Sequence, residues 1–339
     1  MDILLLIIGL GLILAGANFL TDGSAALAQR FRVPEFIIGL TVVAVGTSTP
    51  ELVVSALSAI AGKSDVAIGN VVGSNIFNVF VILGICALIR PLVLTKENIR
   101  RDIPFGMAAS LVLLAVTSDR LVCAGATDRI GRLDSIVMLA LYIGLMWYMI
   151  RTTKRQRSMP GAAGGTKTPA SEAGAIVKNG VKQAEGTKKP MALWLAGVMI
   201  AGGLAGLIFG GEMFLKSATA IARTLGISES VIAITLVAGG TSLPELASSV
   251  VSLLKGKAEM ALGNVIGSNI ANILLILGIS ATIHPLTMGG ITLTDILVVV
   301  LSSLLLFMAA FTFRSKKLDR WEGAIFLAIY IAYIWYLIR

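Results

Sequence analysis

The chain has 339 residues, of which 56% are apolar and 14% charged, and its mean hydropathy is +0.89. A water-soluble fold of this length cannot hide so much hydrocarbon surface, so the composition places the protein in a membrane. The net charge of +9 is spread over short loops rather than gathered on one folded surface, which argues against nucleic-acid binding.

Windows near twenty residues long and nearly free of charge recur at 3–20, 36–61, 66–89, 103–118, 133–150, 192–215, 230–254, 259–283, 291–313 and 321–338. Each is long enough to cross about 30 Å of hydrocarbon. The first begins behind Asp2, where a signal peptide would carry basic residues, and no small-residue cleavage site ends it, so it reads as a retained helix. The second and third spans carry the unusual residues described below. Cys86 and Cys123 lie in or beside apolar runs and define no disulfide framework or metal-ligand spacing, so they read as small apolar side chains.

After the fifth span, residues 151–190 exchange apolar runs for Lys, Gly, Ala, Thr and Ser. With no pattern to bury, this stretch reads as a flexible linker between residues 1–150 and 191–339. The two flanking parts repeat each other. Gly46-Thr47-Ser48-Thr49-Pro50-Glu51-Leu52 returns as Gly240-Thr241-Ser242-Leu243-Pro244-Glu245-Leu246, and the segment from Gly69-Asn70 through Gly73-Ser74-Asn75 to Asn78 returns as Gly263-Asn264 through Gly267-Ser268-Asn269 to Asn272. Every pair is offset by 194 residues. Five spans per repeat is an odd number, so the second copy enters the membrane from the opposite side.

The basic residues orient the chain. With the linker on one face, that face collects 21 of the 28 Lys and Arg and leaves 7 opposite. The expectation is a cytoplasmic linker with both termini outside.

The chemistry follows from what the repeated motifs place at mid-span. Pro50 and Pro244 cannot donate to the carbonyls of Gly46 and Gly240, so each helix must kink or break there. A carbonyl freed in this way is tolerated only where it faces protein or a wet cavity, and an oxygen facing a cavity can ligate a hard cation. Thr47 and Glu51, four residues apart, share a face with Ser48 on an adjoining one, so Gly46–Glu51 reads as an oxygen-rich strip. A carboxylate at a helix centre costs about 2.5–3.5 kcal/mol on insertion scales, so Glu51 and Glu245, with no basic residue at similar depth, point to function. On the next span Ser74 and Asn78 stand at i and i+4 with Asn70 one turn before Ser74, and Ser268 and Asn272 repeat the first pair, adding neutral oxygens.

All of these groups are oxygen donors, and the single histidine, His284, sits at a span end beside Pro285. Na⁺, Ca²⁺ or Mg²⁺ suit them better than Zn²⁺ or Cu²⁺. An enzyme is not indicated: there is no HExxH, no phosphate-binding glycine loop, and no histidine spaced to activate Ser48 or Ser242.

GTSTPEL with GNVVGSNIFN, and GTSLPEL with GNVIGSNIAN, resemble the two α-repeats of the cation/calcium exchanger superfamily, particularly its prokaryotic sodium/calcium antiporters. The resemblance covers essentially the whole chain. It implies an all-α membrane fold of ten helices in two inverted five-helix repeats, with broken helices at the motifs. It also implies Ca²⁺ and Na⁺ as cargo, no cofactor, and a cell-membrane location; nothing in the sequence requires an oligomer.

Carried over by position, the resemblance makes Glu51 and Glu245 the central carboxylates for Ca²⁺ and Na⁺. It makes Thr47, Thr241, Ala44 and Ala238 ligands through their carbonyls, Ser48, Ser242, Ser74 and Ser268 ligands through their hydroxyls, and Asn78 and Asn272 the pair flanking the middle. Some relatives, including potassium-dependent ones, have Asp at the position of Asn272 or its partner. With Asn at both, this chain is expected not to need potassium, and two formal negative charges remain to neutralise one Ca²⁺. The expectation is a Ca²⁺/Na⁺ antiporter working by alternating access. A Ca²⁺/H⁺ antiporter using the same carboxylates stays open. So does a cation channel, although a pore favours a ring of identical subunits over two inverted halves.

Overall fold

The computed structural model of the chain describes residues 1–118, 128–157, 191–226, 238–312 and 316–338. Nearly all of it is helix. Helix α1 (Asp2–Phe31) is followed by a segmented crossing made of α2 (Glu35–Ile38), a π-helical turn (Gly39–Val43), α3 (Ala44–Thr47) and α4 (Thr49–Ile60). A hairpin turn at Gly62, whose φ of 70° favours glycine, leads into a rod built from α5 (Ser64–Phe77), a π-helical turn (Asn78–Leu83) and α6 (Gly84–Ile89). Strand β1 (Leu92–Val93), a π-helical turn (Asn98–Asp102), α7 (Ile103–Val116), β2 (Arg129–Ile130) and α8 (Arg132–Arg157) complete the first repeat.

The second repeat follows the same order. It comprises α9 (Leu193–Thr224), α10 (Ala238–Gly240), α11 (Leu243–Leu254), α12 (Ala258–Ile270), a π-helical turn (Ala271–Ile276), α13 (Leu277–Ile283), β3 (Leu286–Thr287), α14 (Leu293–Ala309), β4 (Lys317–Leu318) and α15 (Arg320–Ile338). Its hairpin turn is Gly256, φ 77°, the equivalent of Gly62.

Among the described residues five helices are long and apolar enough to cross a membrane, and the bent pair 35–47 and 49–60 makes a sixth. Several other windows differ from expectation. Helix α7 has 14 residues and α14 has 17, each short of a full crossing on its own. The linker, expected from residue 151, begins later, because α8 continues to Arg157; residues 158–190 lie outside the described residues, as does Cys123.

The helices are layered. The rods at 64–89 and 258–283 are the centre, with 72% and 78% of their apolar windows buried, against 28% for α1 and 22% for α9. Phe80, Ile68, Ile76 and Ile82 from the first rod and Val265, Ile270 and Ile273 from the second form much of the core. Helices α1 and α9 run antiparallel along the flank. A β-carbon at Gly16 would meet the Gly203 carbonyl at 2.7 Å, and one at Gly9 the Gly210 carbonyl at 2.9 Å, so small residues every seven positions let the two backbones touch.

The repeats exchange elements. Strand β1 pairs antiparallel with β4 (Leu92 with Leu318, Val93 with Lys317), and β2 with β3 (Arg129 with Thr287, Ile130 with Leu286). Helix α15 packs on α6 where Gly84 meets Gly323, and α8 packs on α13 where Gly278 meets Leu139.

Candidate cation site

The site forms where the two bent crossings meet the two central rods. Pro50 and Pro244 occupy the first turns of α4 and α11, where a missing N–H costs least, and the chain breaks just before them at Ser48 and Ser242. In the first repeat the bend is 45°. This overturns the expectation that Thr47, Ser48 and Glu51 form one strip, because that spacing presumes a continuous helix. The break redirects Thr47 and Ser48 toward the other repeat.

The rods behave differently. Both serine-asparagine motifs lie on continuous 26-residue helices rather than broken ones, and the turn widens to a π-helix at Asn78 and around Asn272. Without a proline the helix has no reason to break; a π turn re-aims side chains while keeping the backbone paired. Two glycines seat the second rod. A β-carbon at Gly263 would run into the Phe36 carbonyl and one at Gly267 into the Leu40 carbonyl, so glycine lets α12 lie backbone to backbone on the 35–47 segment. That approach brings the Ser268 hydroxyl 3.5 Å from the Ala44 carbonyl.

Glu51 and Glu245 are fully buried. The hydrogen bonds around them cross between repeats: Ser48 Oγ donates to Glu245 Oε1 at 2.8 Å, and Ser242 Oγ donates to Glu51 Oε1 at 3.1 Å. Ser74 Oγ donates to the same Glu51 oxygen at 3.4 Å. Thr47 Oγ1 donates to Asn264 Oδ1 at 3.2 Å and to the Ala44 carbonyl at 3.3 Å, while Thr241 Oγ1 donates to Asn70 Oδ1 at 3.4 Å. Neither glutamate is ion-paired with a Lys or Arg among the described residues.

One oxygen of each carboxylate, Glu51 Oε2 and Glu245 Oε2, has no donor in the protein, and the same holds for Asn78 Oδ1 and for both amide atoms of Asn272. Buried polar atoms are costly when unpaired, by roughly 1–3 kcal/mol each and more for a charge. Orphaned oxygens from both repeats, two of them anionic, fit a hard cation that they would pair on binding. Ala238 opens α10, and its side chain lies outside the described residues. His284 is exposed at the end of α13, with Nδ1 2.9 Å from the Pro285 carbonyl, and takes no part.

Sequence reasoning missed the braces. Asn70 Nδ2 donates to the Glu51 carbonyl at 3.2 Å and to Ser55 Oγ at 3.0 Å. Asn264 repeats this on the Glu245 carbonyl at 3.3 Å and on Ser249 Oγ at 2.9 Å. Each asparagine thus fixes the helix bearing its own repeat's glutamate and accepts from the threonine of the other. Asn269 accepts from Asn78 Nδ2 at 3.0 Å and donates to the Asn75 carbonyl at 3.3 Å, linking the two rods. The signal available was their duplication inside the repeated motif.

A buried, duplicated, oxygen-rich centre in a helical membrane protein fits the class of cation transporters. Residues 1–151 and 195–339 match the model of the sodium/calcium exchanger protein family, and the chain belongs to it. It is 33% identical over 330 residues to the putative antiporter CaxA of Alkalimonas amylolytica, spanning 96% of this chain and 95% of that one. It is 30% identical over 351 residues to the sodium/calcium exchanger MaX1 of Methanosarcina acetivorans, spanning 98% and 97%. The solved structure of the sodium-calcium exchanger NCX_Mj soaked with zero Na⁺ and Ca²⁺ superposes with a TM-score of 0.79 at 30% identity, covering 99% of this chain and 98% of that one. The protein is a multi-pass membrane protein of cation/calcium exchange, in the class that transports calcium and sodium by antiport.

Proposed function

We propose that this chain exports Ca²⁺ in exchange for Na⁺ by alternating access, with both ions competing for one site between Glu51 and Glu245. The observation that carries the reading is the reciprocal pair of bonds from Ser48 to Glu245 and from Ser242 to Glu51 around two carboxylates that each keep one oxygen unpaired. Two carboxylates neutralise one divalent ion, whereas emptying the site would leave two uncompensated charges in low dielectric. Release of one ion is therefore favourable only when the other replaces it, which is the condition for exchange rather than leak.

In this reading the free carboxylate oxygens bind Ca²⁺ first. Ser48, Ser242, Ser74 and Ser268 supply hydroxyl oxygens, Thr47, Thr241, Ala44 and Ala238 supply carbonyls, and Asn78 and Asn272 supply amide oxygens. The layout is ten crossings in two inverted repeats. The short helices α7 and α14 complete their crossings with neighbouring turns, the linker faces the cytoplasm, and both termini lie outside. The membrane is the cell membrane.

The test is radiolabelled Ca²⁺ uptake into vesicles reconstituted with the full chain. An outward Na⁺ gradient is expected to drive uptake, and a pH gradient alone to leave it at background. Uptake driven by the pH gradient and indifferent to Na⁺ would replace this reading with proton coupling.

A further inference from the structure

The two central rods meet through a pair of asparagines that the repeat makes equivalent and the structure makes unlike. Asn75 and Asn269 stand 194 residues apart, one turn after Val71 and Val265 and three residues before Asn78 and Asn272. Asn269 reaches across to the other rod: its Oδ1 accepts from Asn78 Nδ2 at 3.0 Å, and its Nδ2 donates to the Asn75 carbonyl at 3.3 Å. Asn75 stays on its own helix, where its Nδ2 donates to the Val71 carbonyl at 2.7 Å.

The atoms left over are those that the reverse arrangement would use. Among the described residues, Asn75 Oδ1 and both amide atoms of Asn272 are buried without a hydrogen-bond partner. If Asn75 crossed instead, its Oδ1 would accept from Asn272 Nδ2 and its Nδ2 would donate to the Asn269 carbonyl, while Asn269 fell back on the Val265 carbonyl. Either arrangement makes the same three bonds, so hydrogen bonding does not set one far below the other. There is slack for the change. Val265 and Asn269 both line a cavity of about 10 Å³, roughly one water in size and so enough for an amide to turn. The cavity's hydroxyl, Ser303 Oγ, is already paired with Ser110 Oγ at 2.8 Å and does not compete for that amide.

The difference falls on the ion ligands. Asn78, tied through its Nδ2, presents its Oδ1 in a fixed direction, whereas no hydrogen bond among the described residues orients Asn272. We propose that Asn75 and Asn269 are positioning residues that act by turns: Asn269 orients Asn78 in the state seen here, and Asn75 orients Asn272 in the state open to the other face. The inference rests on the reading of Asn78 and Asn272 as ligands in alternating access. Inverted repeats exchange roles between the two faces, and a side-chain pair with two discrete arrangements supplies each face with one oriented neutral ligand.

The test is the concentration of Ca²⁺ that half-saturates transport, measured from each face of sealed vesicles holding the full chain in one orientation and expressed as the ratio of the two values. Asn269→Ala removes the bonds that cross in the arrangement seen and should shift the ratio about fivefold. Asn75→Ala removes those of its mirror and should shift it about fivefold the other way, the size expected of one neutral hydrogen bond. Asn269→Ser and Asn75→Ser keep a hydroxyl for the carbonyl one turn back but cannot reach the other rod, so each should match its alanine variant even if alanine harms folding. Asn75→Ser combined with Asn269→Ser should return the ratio to wild type. Shifts in the same direction, wild-type ratios in both serine variants, or a double variant that keeps the ratio of one single variant would overturn the proposal. Asn78→Ala and Asn272→Ala separate the two ways of failing. If both leave half-saturation at wild type, the ligand reading falls and takes the positioning role with it; if both raise it while the Asn75 and Asn269 variants shift alike, the positioning role alone falls.

Discussion

Around the carboxylates, two pairs of contacts recur 194 residues on: Ser48 to Glu245 answers Ser242 to Glu51, and Asn70 on the Glu51 carbonyl answers Asn264 on that of Glu245, although Ser74 reaches Glu51 where Ser268 reaches the Ala44 carbonyl. Where the flanking helices meet the hairpins the correspondence lapses. Thr21 shares a buried hydroxyl contact of 3.1 Å with Ser252, and Asp22 lies 2.9 Å from Lys255 Nζ and 3.6 Å from Lys257 Nζ. The equivalent positions on α9 and the first hairpin are Leu215 and Lys216, against Ser58, Ala61 and Lys63, which can form neither the hydroxyl pair nor the ion pair. Under the proposed alternating access a cation needs the same oxygens from both faces, which accounts for the symmetry of these pairs. The ends lack it, and they fasten one face of the bundle more firmly than the other.

The symmetry of the centre can be broken most sharply at its charges. Glu51→Gln and Glu245→Gln should each lower Na⁺-driven Ca²⁺ uptake by more than about 100-fold while leaving a monodisperse, folded protein, since roughly 3–5 kcal/mol follows from removing one partner of a buried charge set. A large difference between the two losses would show that the halves are not equivalent. Next come the hydroxyls: Ser48→Ala and Ser242→Ala should each cost about tenfold in Ca²⁺ affinity, near the 1.5–3 kcal/mol of a bond to a charged group, measured by isothermal titration.

Asn78→Ala and Asn272→Ala remove neutral oxygens and should weaken apparent affinity by about fivefold before they slow flux, as expected near 1 kcal/mol. The asymmetric ends should respond least. Asp22→Asn breaks a partly exposed pair worth about 0–1 kcal/mol and should shift the labelling rate of a cysteine placed beside Lys255 by fivefold at most, while Lys216→Gln should shift nothing there. Equal responses to those two substitutions would erase the distinction drawn between the faces.

Much of this was legible in the sequence. The repeat, the oxygen-rich motifs and the proline breaks follow from motif spacing and from the cost of a carboxylate in hydrocarbon, and the family from the resemblance of those motifs to known ones. Which serine serves which glutamate was not legible, because Ser48 and Glu245 are 197 positions apart and only packing brings them together. The strip reading failed for a related reason: helical spacing holds on one helix, and Pro50 ends that helix before Glu51. Asn70 could be placed one turn before Ser74, but its bracing role and that of Asn264 were not legible, because their targets include the backbone of another helix, which leaves no periodic trace.

The two small ribbons have a consequence for biogenesis. Leu92 and Val93 are made early, yet their backbone partners, Leu318 and Lys317, are made more than 200 residues later. The first repeat must wait in the bilayer with an unpaired strand edge, half an ion site and the α6 surface that α15 will cover, while the linker and nearly all the second repeat are translated. Long-range pairing of this kind is slow and leaves interim surfaces prone to misassembly. A chain truncated anywhere before Lys317 should therefore be handled by the cell as an assembly intermediate and degraded, however complete its first five helices are.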